Sequence, residues 1–449
     1  MAHLKRYDVE SFVSGRLTEK PRQRVLKHLL GGCPECLGRF HAALKPQHLY
    51  STSVPATAEE YDAAIGRALA QVRLLEERWR EDQEKCERGL AALREGGWRQ
   101  FRKEKQALQD SWGNAEMLLR LSFEARYRDP EEMLQFAESA LMMVGRLEPE
   151  RYGSVALYRD FQARVWTELA NACRVKEQFW RVESALNKAC EFLDQGTGDL
   201  MIAARVNVVA GAFYKDQRKF GKAEEILDLA YRIYLKLGQR HLAGRVLISK
   251  GLNLVYAEQQ REAIAYFEQG LAMVDVARDP QLFAAAHHNL LLALTGERRF
   301  QEASELLLKS GLRKVFARDP LNLLRLRGIE AMILAGRGRL VEAERAFGQI
   351  QEGFSARRLD LPAAVVGMER AKVLLQMGCR GEAHELSLDL YRRAQERNLS
   401  KAAVTAILTF EVACRYKKAE PEHAERVRRF LDRHQHDRHL RWEPEMLFG

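Results

Sequence analysis

Four residues near the start of the chain have the types and the spacing of a metal site. They are His3, His28, Cys33 and Cys36. Two residues separate the cysteines, and four separate His28 from Cys33. Thiolates and imidazoles suit tetrahedral Zn²⁺, because soft sulfur and borderline nitrogen match this ion and two thiolates balance its charge. The pattern therefore predicts a zinc site with a structural role, since a segment of about 45 residues with few apolar ones needs a staple to fold alone.

Other interpretations of these residues stay open. The two thiols could form a redox pair, although no βαβ pattern surrounds them, or they could be an incidental pair. His41 is an alternative to His3 as a ligand, and that position could also be left to solvent. A second group of histidines lies near the end of the chain and comprises His434, His436 and His439. We favour a polar helix end over a metal site as the explanation of this group.

Two short amphipathic helix patterns must position the four candidate metal ligands. They cover 9–16 and 21–30, with Pro21 suited to a helix start and Gly31-Gly32 to a helix end. A bend at the glycines would turn Cys33 back toward His28. The string VLKHLLGGCPECLGRF, together with the His and Cys residues above, resembles the zinc-binding anti-sigma-factor domain of bacteria. The resemblance implies structural zinc as cofactor and a sigma factor or another signalling protein as partner.

Most of the remaining chain repeats one unit about every forty residues. Small residues mark the step, and they are Val182, Ala223, Ala263, Ala303, Ala343 and Ala383. Apolar residues follow at three- and four-residue spacing without an alternating strand pattern, and the string ARDP at 277–280 recurs at 317–320 as a joint between units. Repeats of this period form stacked solenoids, since one hairpin cannot cover its own apolar face. The predicted fold class is all-α.

The repeated strings resemble tetratricopeptide repeats over about residues 113–400. Gly211 with Tyr214, and Phe220 three positions before Ala223, carry the resemblance. The unit is longer than the usual one of about 34 residues, which is similar to the long repeats of bacterial transcription regulators. The resemblance implies a right-handed superhelix of helix hairpins, in which the first helix of each unit lines a concave face. We expect four parts: a zinc module at 1–48, a charged connecting region at 49–112, the repeats at 113–400 and capping helices at 401–449.

A series of arginines falls at equivalent places in the first helices of the units. Its members are Arg164, Arg205, Arg245 and Arg325, with Ala285 and Val365 breaking the series. A guanidinium binds a carboxylate through paired donors of fixed geometry, so the series predicts a groove for a protein or peptide with acidic groups. Solvation of a helix face by long side chains is the alternative explanation. Further groove candidates are Asn171, Arg174, Lys215, Asn253 and His288.

Charge and composition limit the other function classes. The net charge is +10, and the first 48 residues hold nine Lys or Arg against four Asp or Glu. Nucleic-acid binding through this basic end, or through a ridge of basic turns, is therefore an alternative, although aromatic residues do not interleave with the basic turns as single-strand binding needs. The seven cysteines, five of them scattered in helical contexts, favour a reducing compartment. Apolar runs of about 18 residues and a signal peptide are missing, so we expect a cytoplasmic protein.

Catalytic motifs are also missing from the sequence. It contains no phosphate-binding loop, nucleophile elbow or His-Glu-x-x-His string, and we expect no enzymatic activity. The favoured function is a regulatory adaptor in bacterial transcription or signalling that binds a protein or peptide in the concave face. A plain assembly scaffold, in which the zinc module is purely structural, is the runner-up.

Overall fold

The computed structural model describes residues 3–13, 17–30, 33–43, 66, 69–70, 72–88, 110–126, 128–149, 153–437 and 439–448. Across this described part the regular elements are helices, and no strand occurs, which confirms the all-α prediction. The chain divides into two compact units, Met1–Arg80 and Glu81–Gly449. The division lies inside the predicted connecting region, where 72–88 is helical and 89–109 is outside the described residues.

The first unit begins with three short helices. They are α1 (Arg6–Val13), α2 (Glu19–Leu30) and α3 (Pro34–Ala43). The first two lie close to the helices predicted from the amphipathic patterns. Their core is small, with Leu4, Val9, Val25 and Cys36 buried. So little apolar area gives only a modest hydrophobic contribution to folding, which agrees with the expectation of a metal staple.

The second unit consists of helix hairpins that begin at Trp112, close to the predicted start of the repeats. Its helices are α4 (Trp112–Ala125), α5 (Pro130–Val144), α6 (Val155–Val175), α7 (Phe179–Asp194), α8 (Leu200–Asp216), α9 (Phe220–Lys236), α10 (Arg240–Tyr256), α11 (Gln260–Met273), α12 (Pro280–Gly296), α13 (Phe300–Ser310), α14 (Leu312–Val315), α15 (Pro320–Gly336), α16 (Leu340–Ser355), α17 (Asp360–Gln376), α18 (Arg380–Glu396), α19 (Lys401–Arg415) and α20 (Pro421–His436). Short 3₁₀ turns follow at Phe316–Arg318 and Pro444–Leu447. This is a tetratricopeptide-type solenoid. None of the described helices is long and apolar enough to cross a membrane.

The forty-residue step is set by close contact inside each hairpin. The repeated alanines, such as Ala223 and Ala263, are completely buried. Opposite them, a Cβ added to Gly251 would lie 2.9 Å from the buried ring of Phe267. Small residues therefore let the two helices approach, and one large residue a turn further on fills the space between them.

The turn inside the hairpin also repeats in the six hairpins between α6 and α18. One residue in it adopts a left-handed conformation with φ between 58° and 79°. These residues are Glu177, Arg218, Glu258, Arg298, Gly338 and Gly378. In one such turn the Lys219 N–H donates back to the Tyr214 carbonyl at 2.9 Å. This bond satisfies a carbonyl that the helix end leaves free, so the chain reverses direction at the same point of these six units.

The ARDP strings mark joints between units, as the sequence predicts. Asp279 caps α12 by accepting from the Leu282 N–H, and Asp319 caps α15 by accepting from the Asn322 N–H. Proline occupies the first turn of both helices. A proline there loses no helical hydrogen bond, so the string starts a helix in a fixed place.

The last helix does more than extend the stack. Besides its neighbour α19, α20 packs against α17. It buries Val427 and Leu431 completely, in one core cluster with α17, α18 and α19. Two ion pairs tie it to α17, Lys372 to Glu425 at 2.8 Å and Arg428 to Glu369 at 3.0 Å. The helix is therefore an integral cap that folds back along the first helix of a unit.

Candidate functional site

The first unit brings the four predicted metal ligands together. The candidate ligand atoms of His3, His28, Cys33 and Cys36 all lie within 4.8 Å of one another. The Nδ1 atom of His3 is 3.4 Å from the Cys33 Sγ and 3.7 Å from the Cys36 Sγ. Ligands around tetrahedral zinc lie about 3.3–3.8 Å apart when the bonds are about 2.0–2.3 Å long. The cluster therefore has the size of a metal site.

The surroundings of the cluster fit a metal ion. The Nε2 atom of His28 is buried and has no hydrogen-bond partner among the described residues. A buried nitrogen without a partner is costly, and a metal ion would satisfy it. The backbone N–H of Leu4 donates to the buried Cys36 Sγ at 3.3 Å, as backbone amides do to coordinated thiolates. Two sulfurs and two nitrogens suit Zn²⁺.

The structure bears differently on the three alternatives raised by the sequence, namely His41 as a ligand, a redox pair and a second histidine site. The side chain of His41, the alternative to His3, lies outside the described residues. The redox alternative gives no reason for two histidines to converge on the thiols. In the second histidine group, His434 is buried and its Nε2 lies 2.5 Å from the Ser400 Oγ, at the start of α19. That residue contributes to a helix end.

Three members of the arginine series in the second unit bind carboxylates that belong to the chain itself. Arg164 pairs with Glu116, and Arg205 makes two bonds to Glu168, at 2.7 and 2.8 Å. Burial alone would raise the pKa of Glu168, but Arg205 above all, with Arg164 and Arg245, holds it below its ordinary value. The carboxylate is therefore ionised beside the guanidinium of Arg205, and the charges of Arg164 and Arg245 also favour its ionised form.

The third arginine takes part in a contact that spans several units. Asp279 lies 3.1 Å from Arg126 and 3.7 Å from Arg245. Both guanidinium groups also lie over the ring of Phe123, at 3.6 and 5.2 Å from its centroid. We call these four residues the clasp. It joins the end of α4 to the start of α12.

Arg325 differs from the rest of the series. It is exposed, and its hydrogen-bond partner is the side chain of Asn322 at 3.1 Å. Within the described part of the chain, no carboxylate contacts it. Burial first, and then the charge of Arg325, lower the pKa of His288 to about 4. Burial and the carboxylates of Asp216 and Asp432 raise the pKa of Tyr256 above its ordinary value, and the charge of Arg325 reduces this rise. We call Tyr256, His288 and Arg325 the groove centre.

The other predicted groove residues have partners within the chain. Arg174 donates to Asp216 at 2.8 Å and to Asn171 at 3.1 Å. Lys215 pairs with Asp216 and lies 4.5 Å from the centre of the Tyr256 ring. Asn253 is buried and donates to the Phe220 carbonyl at 3.1 Å.

Sequence reasoning missed the acidic partners and the contacts between distant units. Glu168 follows Arg164 by four residues, so both lie on one helix face, and this spacing was a usable signal. Arg433 of α20 pairs with Glu258, which follows α10. No local sequence pattern predicts this contact. In the basic turns, Arg299 pairs with Glu302 and Arg339 with Glu342. These pairs neutralise part of the predicted basic ridge.

Comparison with known proteins gives structural likeness only. No protein-family model matches the chain, and no curated protein sequence matches it. Among solved structures, it is similar to aspartyl phosphate phosphatase F from Bacillus subtilis, with 13% identity, a TM-score of 0.46 and coverage of 88% of this chain and 96% of that chain. It is similar to NprR in complex with its cognate peptide NprX, with 15% identity, a TM-score of 0.49 and coverage of 72% and 90%. For the apo form of RapI the values are 12%, 0.44, 63% and 99%. At these values the likeness carries no argument about function, and the fold class rests on the hairpins of this chain.

Proposed function

We propose that this chain is a non-catalytic, cytoplasmic regulatory adaptor that binds an acidic segment of a protein or peptide partner at the groove centre. One observation carries the proposal: Arg325 continues a series whose other members bind carboxylates, yet no described carboxylate of the chain contacts it. A guanidinium in this register is already placed for paired hydrogen bonds. A carboxylate from a partner would complete the series.

The neighbours of Arg325 suit such a contact. His288 is neutral at pH 7, because its pKa is about 4, so it adds hydrogen-bonding capacity without a second charge. The ring of Tyr256 is half-buried and offers an apolar surface beside the cation. An aromatic ring and an arginine are the residue types that contribute most at protein interfaces.

The metal cluster supports a second part of the proposal. We assign structural Zn²⁺ to His3, His28, Cys33 and Cys36, because the convergence of these atoms and the buried Nε2 of His28 fit that ion. The sequence resemblance of this module to anti-sigma-factor domains supports a partner in transcription or signalling, and a sigma factor is the partner to test first. The scaffold alternative keeps the zinc and drops this partner.

Binding of a purified sigma factor and of an acidic peptide library to the full chain tests both parts. Arg325→Ala should weaken binding of acidic peptides by about 10- to 100-fold, since a hydrogen bond to a charged group contributes about 1.5–3 kcal/mol. The matched control is Arg327→Ala, which removes an equally exposed arginine from the same helix and should leave binding unchanged. Equal losses in the two variants would contradict the groove centre as the site.

The Cys33→Ser, Cys36→Ser double variant separates adaptor from scaffold. Loss of sigma-factor binding in this variant supports the adaptor, whereas partner binding that the variant leaves unchanged supports the scaffold. Retention on DNA should be absent even at low salt, where phosphate binding is strongest. Salt-sensitive retention would instead favour the nucleic-acid alternative.

A further inference from the structure

His3 is the metal ligand that most needs support, because it lies in the segment before the first helix. Its two ring nitrogens face different groups. The Nδ1 atom points to the two thiols, at 3.4 and 3.7 Å, whereas Nε2 is 3.1 Å from the Glu35 Oε2. The imidazole is therefore placed between the metal cluster and a carboxylate.

That carboxylate is itself held by α3. Arg39, one turn after Glu35, donates to the Glu35 Oε1 at 2.6 Å and to the Leu4 carbonyl at 2.8 Å. The Leu4 N–H donates to the Cys36 Sγ at 3.3 Å. Three contacts from one helix therefore fix the segment that carries His3. One reaches the imidazole, and two reach the backbone of the next residue.

We propose that Glu35, held by Arg39, is a positioning residue that makes His3 a metal ligand through Nδ1. A neutral imidazole carries one proton, and a carboxylate that accepts from Nε2–H keeps the proton there. The lone pair is then on Nδ1, which faces the thiolates. The same contact fixes the ring orientation, as a carboxylate behind a metal-bound histidine does.

This inference rests on the proposed zinc centre and adds to it. One of the two residues between the cysteines in Cys-Pro-Glu-Cys acquires a function, because Glu35 reaches back to the histidine that lies farthest away in sequence. It also gives a physical reason for His3 to be the fourth ligand, since the fold supplies its tautomer and its position together.

The test is a zinc-affinity measurement on the full chain by competition with a chromophoric chelator. Glu35→Ala should weaken zinc binding by about 10- to 100-fold, the usual effect of losing such a partner. Glu35→Gln should recover part of the affinity, because its carboxamide oxygen still accepts from Nε2–H. Arg24→Ala, which breaks an ion pair with Asp8 in the same module, is the control and should leave the affinity unchanged.

Two further measurements separate positioning from a general effect on folding. In the His3→Ala background, Glu35→Ala should have no further effect on zinc affinity. The absorption spectrum of the Co²⁺-substituted protein should show a changed ligand set in Glu35→Ala and a nearly unchanged one in Glu35→Gln.

The possible failures are distinguishable. Zinc binding by the natural chain that is no tighter than in the Cys33→Ser, Cys36→Ser variant would overturn the zinc centre itself. Tight zinc binding that Glu35→Ala leaves unchanged, or weakens equally with and without His3, would overturn the positioning role alone.

Discussion

Single residues show how burial and charge set chemistry that residue type alone does not reveal. The sequence predicts His288 as a polar groove residue, but the structure makes it half-buried and places a guanidinium nearby. The side chain consequently stays neutral well below the pKa of a free histidine. Such a property depends on the packing of α12 against α15, so the sequence could indicate the position and not the protonation state.

Stability should depend on pH through His288. Its pKa is about 4 in the folded chain and about 6.5 when unfolded, so the unfolded state binds more protons between these values. The contribution is fully present above pH 6.5 and is lost as the pH falls toward 4. From pH 7 to pH 5 the free energy of unfolding should fall by about 2 kcal/mol through this residue. Urea unfolding of the natural chain and of His288→Gln at both pH values measures the effect. The same pH dependence in both proteins would contradict it.

The sequence predicts which positions of neighbouring helices pack together, but the residues at these positions are ionic in some units and apolar in others. Lys250 of α10 is almost completely buried and pairs with Glu224 of α9 at 2.9 Å and with Asp228 at 2.6 Å. Burial alone would lower the pKa of Lys250, but its bonds to Asp228 and Glu224 raise it above the ordinary value. Arg370 and Glu344 form the same pair 120 residues later, between α17 and α16. The periodic alanines predicted the helix pairing, and they could not predict which contacts are ionic.

The next unit along the chain carries apolar residues at these two positions, which suggests an exchange experiment. Leu290 and Ile264 correspond to Lys250 and Glu224 and lie in one core cluster. Lys250→Leu alone should lower the free energy of unfolding by about 1–3 kcal/mol, because it leaves Glu224 without its partner. The double variant Lys250→Leu, Glu224→Ile should recover most of this loss, since an ion pair replaced as a whole by apolar residues is often neutral.

Chemical denaturation of these two variants and of Glu224→Ile alone checks this expectation, analysed as a double-mutant cycle. Costs that simply add in the double variant would show that the lysine and the glutamate do not act as a pair. If Lys250→Leu alone leaves the free energy of unfolding nearly unchanged, the ion pair contributes no net stability.

At the scale of the second unit, contacts between distant units are what sequence reasoning could not reach. The four predicted parts came from local patterns, and the hairpins run from Trp112 to His436. The clasp joins residues 153 positions apart, and α20 returns to α17. Both contacts depend on the curvature of the stack, which is the sum of the small rotations between successive hairpins.

The clasp should hold α4 and α12 in place. Asp279→Asn keeps a side-chain oxygen to cap α12 but removes the charge between Arg126 and Arg245. Backbone hydrogen exchange should therefore rise at the end of α4, measured by mass spectrometry on peptides that cover 112–129. The matched control is Asp319→Asn, which changes the equivalent cap forty residues later, where no described arginine pairs with the aspartate. Equal exchange at the end of α4 in both variants would mean that the clasp contributes no local order.

The return of α20 onto α17 has a consequence for synthesis on the ribosome. Hairpins that contact only their neighbours can fold one after another as they emerge. The side of α17 that includes Met368 and Ala371 belongs to a core cluster that Val427 and Leu431 complete. Until α20 has emerged, part of that apolar surface faces solvent and is open to binding by chaperones. The unit that folds seventh in order is thus finished only when the last helix has been made.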